Sequence, residues 1–241
     1  MLSASDFFDL DRTQHSALFT DTVYVWDAIK HINDYVQTCL DSNFPANSDT
    51  ISVHPSTVIE GDVHIGEGTT IAPSVYIQGP TVIGKNCEIR QGAYIRGNVI
   101  LGDNAIVGHN TELKHTVMLE NAHAPHFSYL GDSILGMDTN LGAGTKLSNL
   151  PVNSTKDPVT GLRSTIHLNI NGEIIDTGLA KFGAILGDSA QTGCNSVTNP
   201  GCVIGARTWV YPLMSLNKGY YPADSLIKLR QTIEIVERRY D

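Results

Sequence analysis

The chain has 241 residues, enough for one large domain or two small ones, and its net charge of −9 argues against a nucleic-acid partner, which needs clustered Lys and Arg. Apolar residues make up 41% and there are 22 glycines, a composition suited to a folded domain with many tight corners. Asp6, Asp9 and Asp11 interrupt any apolar leader, and no apolar run reaches the roughly 18 residues of a membrane span, so a cytoplasmic protein with no membrane partner is expected.

Residues 1–50 place Trp26, Ile29, Ile32, Tyr35 or Val36, and Leu40 at three-to-four spacing, which predicts one amphipathic helix. A polar, Pro-containing linker over 42–49 follows, and the whole segment is expected to cap the open end of what comes next.

From 53 to 119 an aliphatic residue returns at every sixth position: Val53, Ile59, Ile65, Ile71, Ile77, Ile83, Ile89, Ile95, Leu101, Val107, Leu113 and Leu119. Six fits neither the helical period nor simple strand alternation. It fits a solenoid of short parallel strands with three faces per coil, so that positions 18 apart, such as Ile59, Ile77, Ile95 and Leu113, form one interior column. The fold expected is all-β: a left-handed parallel β-helix of the hexapeptide-repeat type over 51–215, with an N-terminal helical segment and an inserted hairpin loop.

The register breaks at 121–126, where Pro125 takes the place of the next aliphatic, and resumes four positions later at Tyr129, Leu135, Leu141 and Leu147. This predicts a small excursion loop carrying His123 and His126. Over 150–180 the hexad gives way to Pro151, Pro158 and Gly161, then to alternating apolar residues around Asn171-Gly172, the signature of a β-hairpin. The repeat returns at Leu186, Thr192, Thr198, Ile204 and Val210, and 216–241 reads as an extended tail, with a helix through Leu226, Leu229, Ile233 and Val236 as the alternative.

Cys39, Cys87, Cys194 and Cys202 show no zinc-binding or redox spacing, and Cys87 and Cys202 fall at small core positions. His109 and His115 invite comparison with the metal loop of hexapeptide-repeat carbonic anhydrases, but no third histidine has the needed offset, so no metal is expected. The candidate for chemistry is His126, a side chain able to take a proton near neutral pH. Arg96 and Lys114 stand one coil apart on the same face, where two cations invite a phosphate or carboxylate between them.

The stretches His126-Phe127-Ser128-Tyr129-Leu130-Gly131-Asp132 and Asn140-Leu141-Gly142-Ala143-Gly144-Thr145 resemble the acetyltransferase half of bifunctional N-acetylglucosamine-1-phosphate uridylyltransferase/glucosamine-1-phosphate acetyltransferase, a resemblance running from about 53 to 210. It implies transfer of an acetyl group from acetyl-CoA to the amine of a phosphorylated or nucleotide-linked amino sugar, with His126 as base and Glu112 supporting it. Arg96, Lys114, Tyr129, Asn140, Asn149 and Lys181 match sugar or phosphate contacts. Ala143 matches a contact to the acyl-CoA, and Cys194 stands where a serine lies near the acyl group. Homotrimers with sites between subunits are implied as well. The chain departs from the pattern after Asn149, where Leu150-Pro151-Val152 opens the insertion, and it carries no uridylyltransferase half, so no pyrophosphorylase activity is expected. The alternative is a non-catalytic β-helix module that binds a sugar nucleotide or organises a partner enzyme.

Overall fold

The computed structural model describes residues 2–42, 50–230 and 235–237. The expected linker, apart from Ser42, and Ile233 of the expected tail lie outside the described residues.

Strands of two to seven residues pair in parallel along a solenoid with three faces. Face A stacks the strands Ser52–Val53, Thr70–Ile71, Glu88–Ile89, Ile106–His109, His123–His126, Asn140–Leu141, Gln191–Thr192, Trp209–Val210 and Leu226–Ile227. Face B runs from Val58–Glu60 through Tyr94–Arg96 to Ser215–Leu216, and face C from Val63–Ile65 through Val99–Leu101 to Gly219–Tyr221. The expected interior column is present: Ile59 pairs with Ile77, Ile77 with Ile95 and Ile95 with Leu113. Ile77, Ile95, Leu113, Leu130 and Leu147 are completely buried along it.

The register differs from the hexad reading in an instructive way. Lower coils repeat every 18 residues. Leu113, however, pairs with Leu130, and Met118 with both Leu101 and Leu135, so two successive coils are 17 residues long. The inward residues are therefore Met118, Ala124 and Leu130, rather than Leu119, Pro125 and Tyr129, and no excursion loop exists at 121–126. The missing residue is lost at the corner between faces B and C. There Gly97 and Asn98 both take positive φ (82° and 51°), whereas the next two coils turn on His115 (49°) or Asp132 (46°) alone. One residue in the left-handed region does the work of two, and the strands Glu112–Met118 and Tyr129–Leu135 run around the corner unbroken.

Helix α1 (Ala28–Asp41) is where the periodicity places it, and its Ile29, Ile32 and Val36 are fully covered. It lies along the outside of face C, not over an end of the solenoid: it packs with Val82, Ile100, Val117, Ile134, Ile185 and Val203 in a second apolar layer. These are outward positions that a solvated wall would leave polar. Phe7, Phe8, Leu18 and Phe19 extend the same layer from turns without sequence period. The first coil keeps Val53 and Ile59 about 40% exposed. At the other end the β-helix does not stop at 215: it continues through Leu216, Gly219–Tyr221 and Leu226–Ile227, where an extended or helical tail is expected from the sequence.

The insertion leaves the wall after Asn149, so that Leu147 pairs with Thr198 across a gap of 51 residues in place of 17 or 18. Its neck is closed by the Phe182 amide, which donates to the Asn149 carbonyl at 2.9 Å. The predicted hairpin forms, His167–Ile170 against Glu173–Asp176, and buries Ile166 and Leu168 in the face-C layer.

Candidate active site

His126 belongs to the wall. It ends the strand His123–His126 at the corner between faces A and B and is the Cα partner of His109 one coil below. Register carries the same corner position upward to Ala143 and then Cys194. The His126 carbonyl accepts from the Gly144 amide (3.1 Å) and the Ser128 hydroxyl (3.1 Å), which fixes the backbone while the side chain stays exposed. No described residue hydrogen-bonds to its ring. Phe127 follows at φ 33°, a position filled in neighbouring coils by Asn110, Gly144 and Asn195. Its ring is half exposed and covers Gly144, where a Cβ would come within 3.1 Å of it.

Beside this corner the wall carries a strip of proline and glycine, without long side chains. Pro125, Gly142 and Gly193 occupy successive coils, and a Cβ on Gly142 or Gly193 would stand 2.5 or 2.3 Å from the next backbone. The amides of Ala143 and Cys194, at the rim of this strip, find no acceptor among the described residues. Cys194 is exposed, while Cys87 and Cys202 are buried in the interior; burial pushes the Cys87 thiol up to about 12.

On the other side of His126, face B gathers most of the remaining candidates. Arg96 donates to Glu112 at 2.7 Å, and this pair holds the guanidinium above its ordinary value. Glu112 is thus turned to Arg96; no hydrogen bond joins it to His126. Tyr129 donates to the Asn149 side chain at 3.3 Å, and the Asn149 amide donates to Asp132. Gly131 between them leaves the floor open, since a Cβ there would meet Asn149 and the Tyr129 hydroxyl at 2.7 Å. Burial, followed by the carboxylates of Glu112 and Asp132, pushes the Tyr129 phenol up.

Lys114 and Lys181 meet at the neck of the insertion. Burial first, and then the Lys181 and Arg96 charges, hold the Lys114 ammonium below its ordinary value against the opposing pull of Asp132. Two lysines and an arginine thus share one patch of an acidic chain with the carboxylates of Glu112 and Asp132. Asn140 is not brought to this patch: it sits on face A, paired with His123 and Gln191.

His109 and His115 stand at different corners. The His109 ring bonds to the Gln91 carbonyl (3.1 Å) and the Asn110 amide (3.0 Å), and His115 bonds to the Ile29 carbonyl of α1 (2.9 Å). Among the described residues no group of three or more His, Cys, Asp or Glu is placed to hold a metal.

Asp132 is the site residue that sequence reasoning missed. It is 8% exposed and bonded to Asn149, and its one signal was an Asp following Gly at a corner, where a positive φ is tolerated.

These features define a class: a hexad-repeat parallel β-helix with an exposed histidine corner beside a cation-lined wall. The family described as the GMPPB C-terminal domain matches residues 77–220, and the chain belongs to that family. It is 35% identical over 213 residues to the bifunctional protein GlmU of Methanococcus aeolicus, covering 88% of this chain and 47% of that protein. It is also 35% identical over 112 residues to a bifunctional sugar-1-phosphate nucleotidylyltransferase/acetyltransferase of Sulfurisphaera tokodaii, covering 46% of this chain and 26% of that one. The resemblance expected from the sequence is therefore present, and the chain spans less than half the length of these two relatives. Among solved structures, the Francisella novicida UDP-N-acetylglucosamine acyltransferase is similar over 70% of this chain and 62% of its own, at 17% identity and a TM-score of 0.35.

Proposed function

We propose that the chain transfers an acetyl group from acetyl-CoA to the amine of an amino sugar that carries a phosphate or a nucleotide, with His126 as the base. The observation that carries this reading is the position of His126: a solvent-facing imidazole with no hydrogen-bond partner among the described residues, between a strip of proline and glycine and a cation-lined patch. The strip suits an extended thioester chain, and the Ala143 amide has a hydrogen bond to give to the thioester carbonyl oxygen. The patch of Arg96, Lys114 and Lys181 suits the phosphate, and Tyr129 and Asn149 suit the sugar hydroxyls.

In the reaction the neutral amine attacks the thioester carbonyl carbon and a C–N bond forms. His126 takes the proton that the nitrogen sheds, the C–S bond breaks, and CoA leaves as its thiolate. Glu112, bound to Arg96, orients the cation-lined patch in this scheme and does not support the histidine. Cys194 lines the donor side as a small residue.

A homotrimer belongs to the same proposal: Asn140, assigned to the substrate by the resemblance, lies on face A apart from the face-B residues, and a neighbouring copy would bring the two together. So does a cytoplasmic location; no helix among the described residues is long and apolar enough to cross a membrane. The test is release of CoA with glucosamine-1-phosphate and a panel of amino sugars. Turnover that His126→Ala abolishes is expected, and turnover on none of them, or turnover that survives the substitution, overturns the reading. The second reading, a binding module without catalysis, is favoured by the turning of Glu112 to Arg96, which leaves no hydrogen bond between Glu112 and His126. It expects sugar-phosphate binding with no consumption of acetyl-CoA.

A further inference from the structure

The wall below the cation-lined patch has an order that the solenoid does not require. On face B the outward position before each inward residue carries Tyr76 and then Tyr94, and the position after it carries Glu60, Gln78, Arg96 and then Lys114 in ascending coils. A solvated wall is satisfied by any polar residue, and the upper coils of the first column carry Lys146, Val197 and Ser215.

The two tyrosines are held on both sides. Their rings meet edge to face, with centroids 5.5 Å apart and planes at 77°. The Arg96 guanidinium stands 5.6 Å over the Tyr94 ring while Glu112 holds it at 2.7 Å. Below, the Tyr76 hydroxyl donates to Glu60. Tyr94 nevertheless remains 39% exposed, and Gln78 beside it is exposed. Rings that are ordered in advance yet open to solvent lose little freedom when a flat ligand settles on them.

The chemistry changes along the ladder. Aromatic faces next to a guanidinium stack nucleobases. Gln78 and Glu60 flank them with a donor and acceptors suited to a base edge or a ribose hydroxyl. Arg96, Lys114 and Lys181 above them suit phosphates. With strands about 4.8 Å apart, Tyr94 lies one coil and Tyr76 two coils below Lys114, about 5 and 10 Å. That is the reach of a nucleoside whose phosphates rest on the cations.

We propose that face B binds a nucleoside diphosphate: the base on Tyr94, whose ring Tyr76 braces edge to face, and the diphosphate on Arg96, Lys114 and Lys181. The acceptor is then a nucleotide-linked amino sugar and not a sugar phosphate alone. The assignment of the sugar end rests on the acyl-transfer reading, but the nucleotide site does not.

The test is calorimetry on the full chain without CoA, comparing UDP, GDP, ADP, CDP and dTDP with inorganic pyrophosphate. At least one nucleotide is expected to bind about tenfold or more tightly than pyrophosphate, the scale of one base stacked on an aromatic ring. The double substitution Tyr76→Ala/Tyr94→Ala brings that ratio close to one, and Tyr94→Phe preserves it, each variant first being shown to melt like the parent. A ratio near one for every nucleotide, no binding by any of them, or a ratio that survives loss of both rings overturns the proposal. Turnover of glucosamine-1-phosphate with a ratio near one would leave acyl transfer standing and remove the nucleotide site. A high ratio without CoA release would do the reverse.

Discussion

His126 and Lys114 show how differently the two halves of the site are prepared. His126 has its backbone fixed and its ring free, so its removal should spare the fold. His126→Ala is expected to lower kcat for CoA release by about 10²–10⁴-fold while calorimetric affinity for the acceptor stays close to that of the parent. Lys114 is the reverse case. Its folded-state pKa is depressed, so the unfolded chain binds more protons between that value and the ordinary one, and stability rises with pH through that window. Below it the charged Lys114 is a net cost to the free protein. Lys114→Met should therefore leave Tm at or slightly above that of the parent at pH 7 while weakening phosphate binding. An unchanged affinity for phosphate would remove Lys114 from the patch. Arg96 and Lys114 stand out in the sequence as outward residues one coil apart, whereas Tyr129, Asn149 and Lys181 enter only through the family resemblance, Tyr129 falling at a position the hexad reading takes as inward. The Glu112–Arg96 pair and the bond from Asn149 to Asp132 were not readable, since side chains one coil apart can meet in several ways that spacing does not rank.

At the scale of strands and turns, the glycines separate stability from binding. A Cβ on Gly108 would lie 1.6 Å from the Pro125 carbonyl oxygen, a backbone atom that cannot step aside. Gly108→Ala is expected to destabilise the chain by about 3 kcal/mol or more, read as a large fall in the urea midpoint. The Gly131 Cβ would meet the ends of flexible side chains instead, Asn149 and Tyr129. Gly131→Ala should keep Tm near that of the parent yet raise KM for the acceptor. Helix α1 was legible from its period, but its docking site was not: face C is apolar on both sides, and one strand read alone does not say which side is inside. Ile134→Ala, beneath α1, should cost about 2–5 kcal/mol in denaturant unfolding, as for a core residue and unlike a surface one.

Over the whole molecule, burial rises from the first coil inward. Val53 and Ile59 are about 40% exposed, whereas Ile77 and Ile95 are fully covered. Because each coil rests mainly on its neighbours, opening should begin at the first coil. Amide exchange is expected to be fastest over 52–60 and slowest over the strands near Leu113 and Leu130, and uniform exchange along the solenoid would contradict this. The repeat, its three faces and the inserted hairpin were legible in the sequence because periodicity is a local signal. The short coils were not, because dropping one residue at a corner leaves an apolar residue in both candidate registers, Met118 beside Leu119 and Leu130 beside Tyr129.

All the variation in coil length falls at one edge. The corner between faces B and C carries the turn of Gly97 and Asn98, the turns on His115 and Asp132 alone, and the long insertion between Asn149 and Phe182, while the corner of His126 keeps one geometry from coil to coil. A change of chain length beside Lys114 and Lys181 would thus alter which acceptor the proposed site admits without moving His126, its proposed base. Such an arrangement makes specificity evolvable by insertion and deletion, a coarser and faster route than substitution within the site.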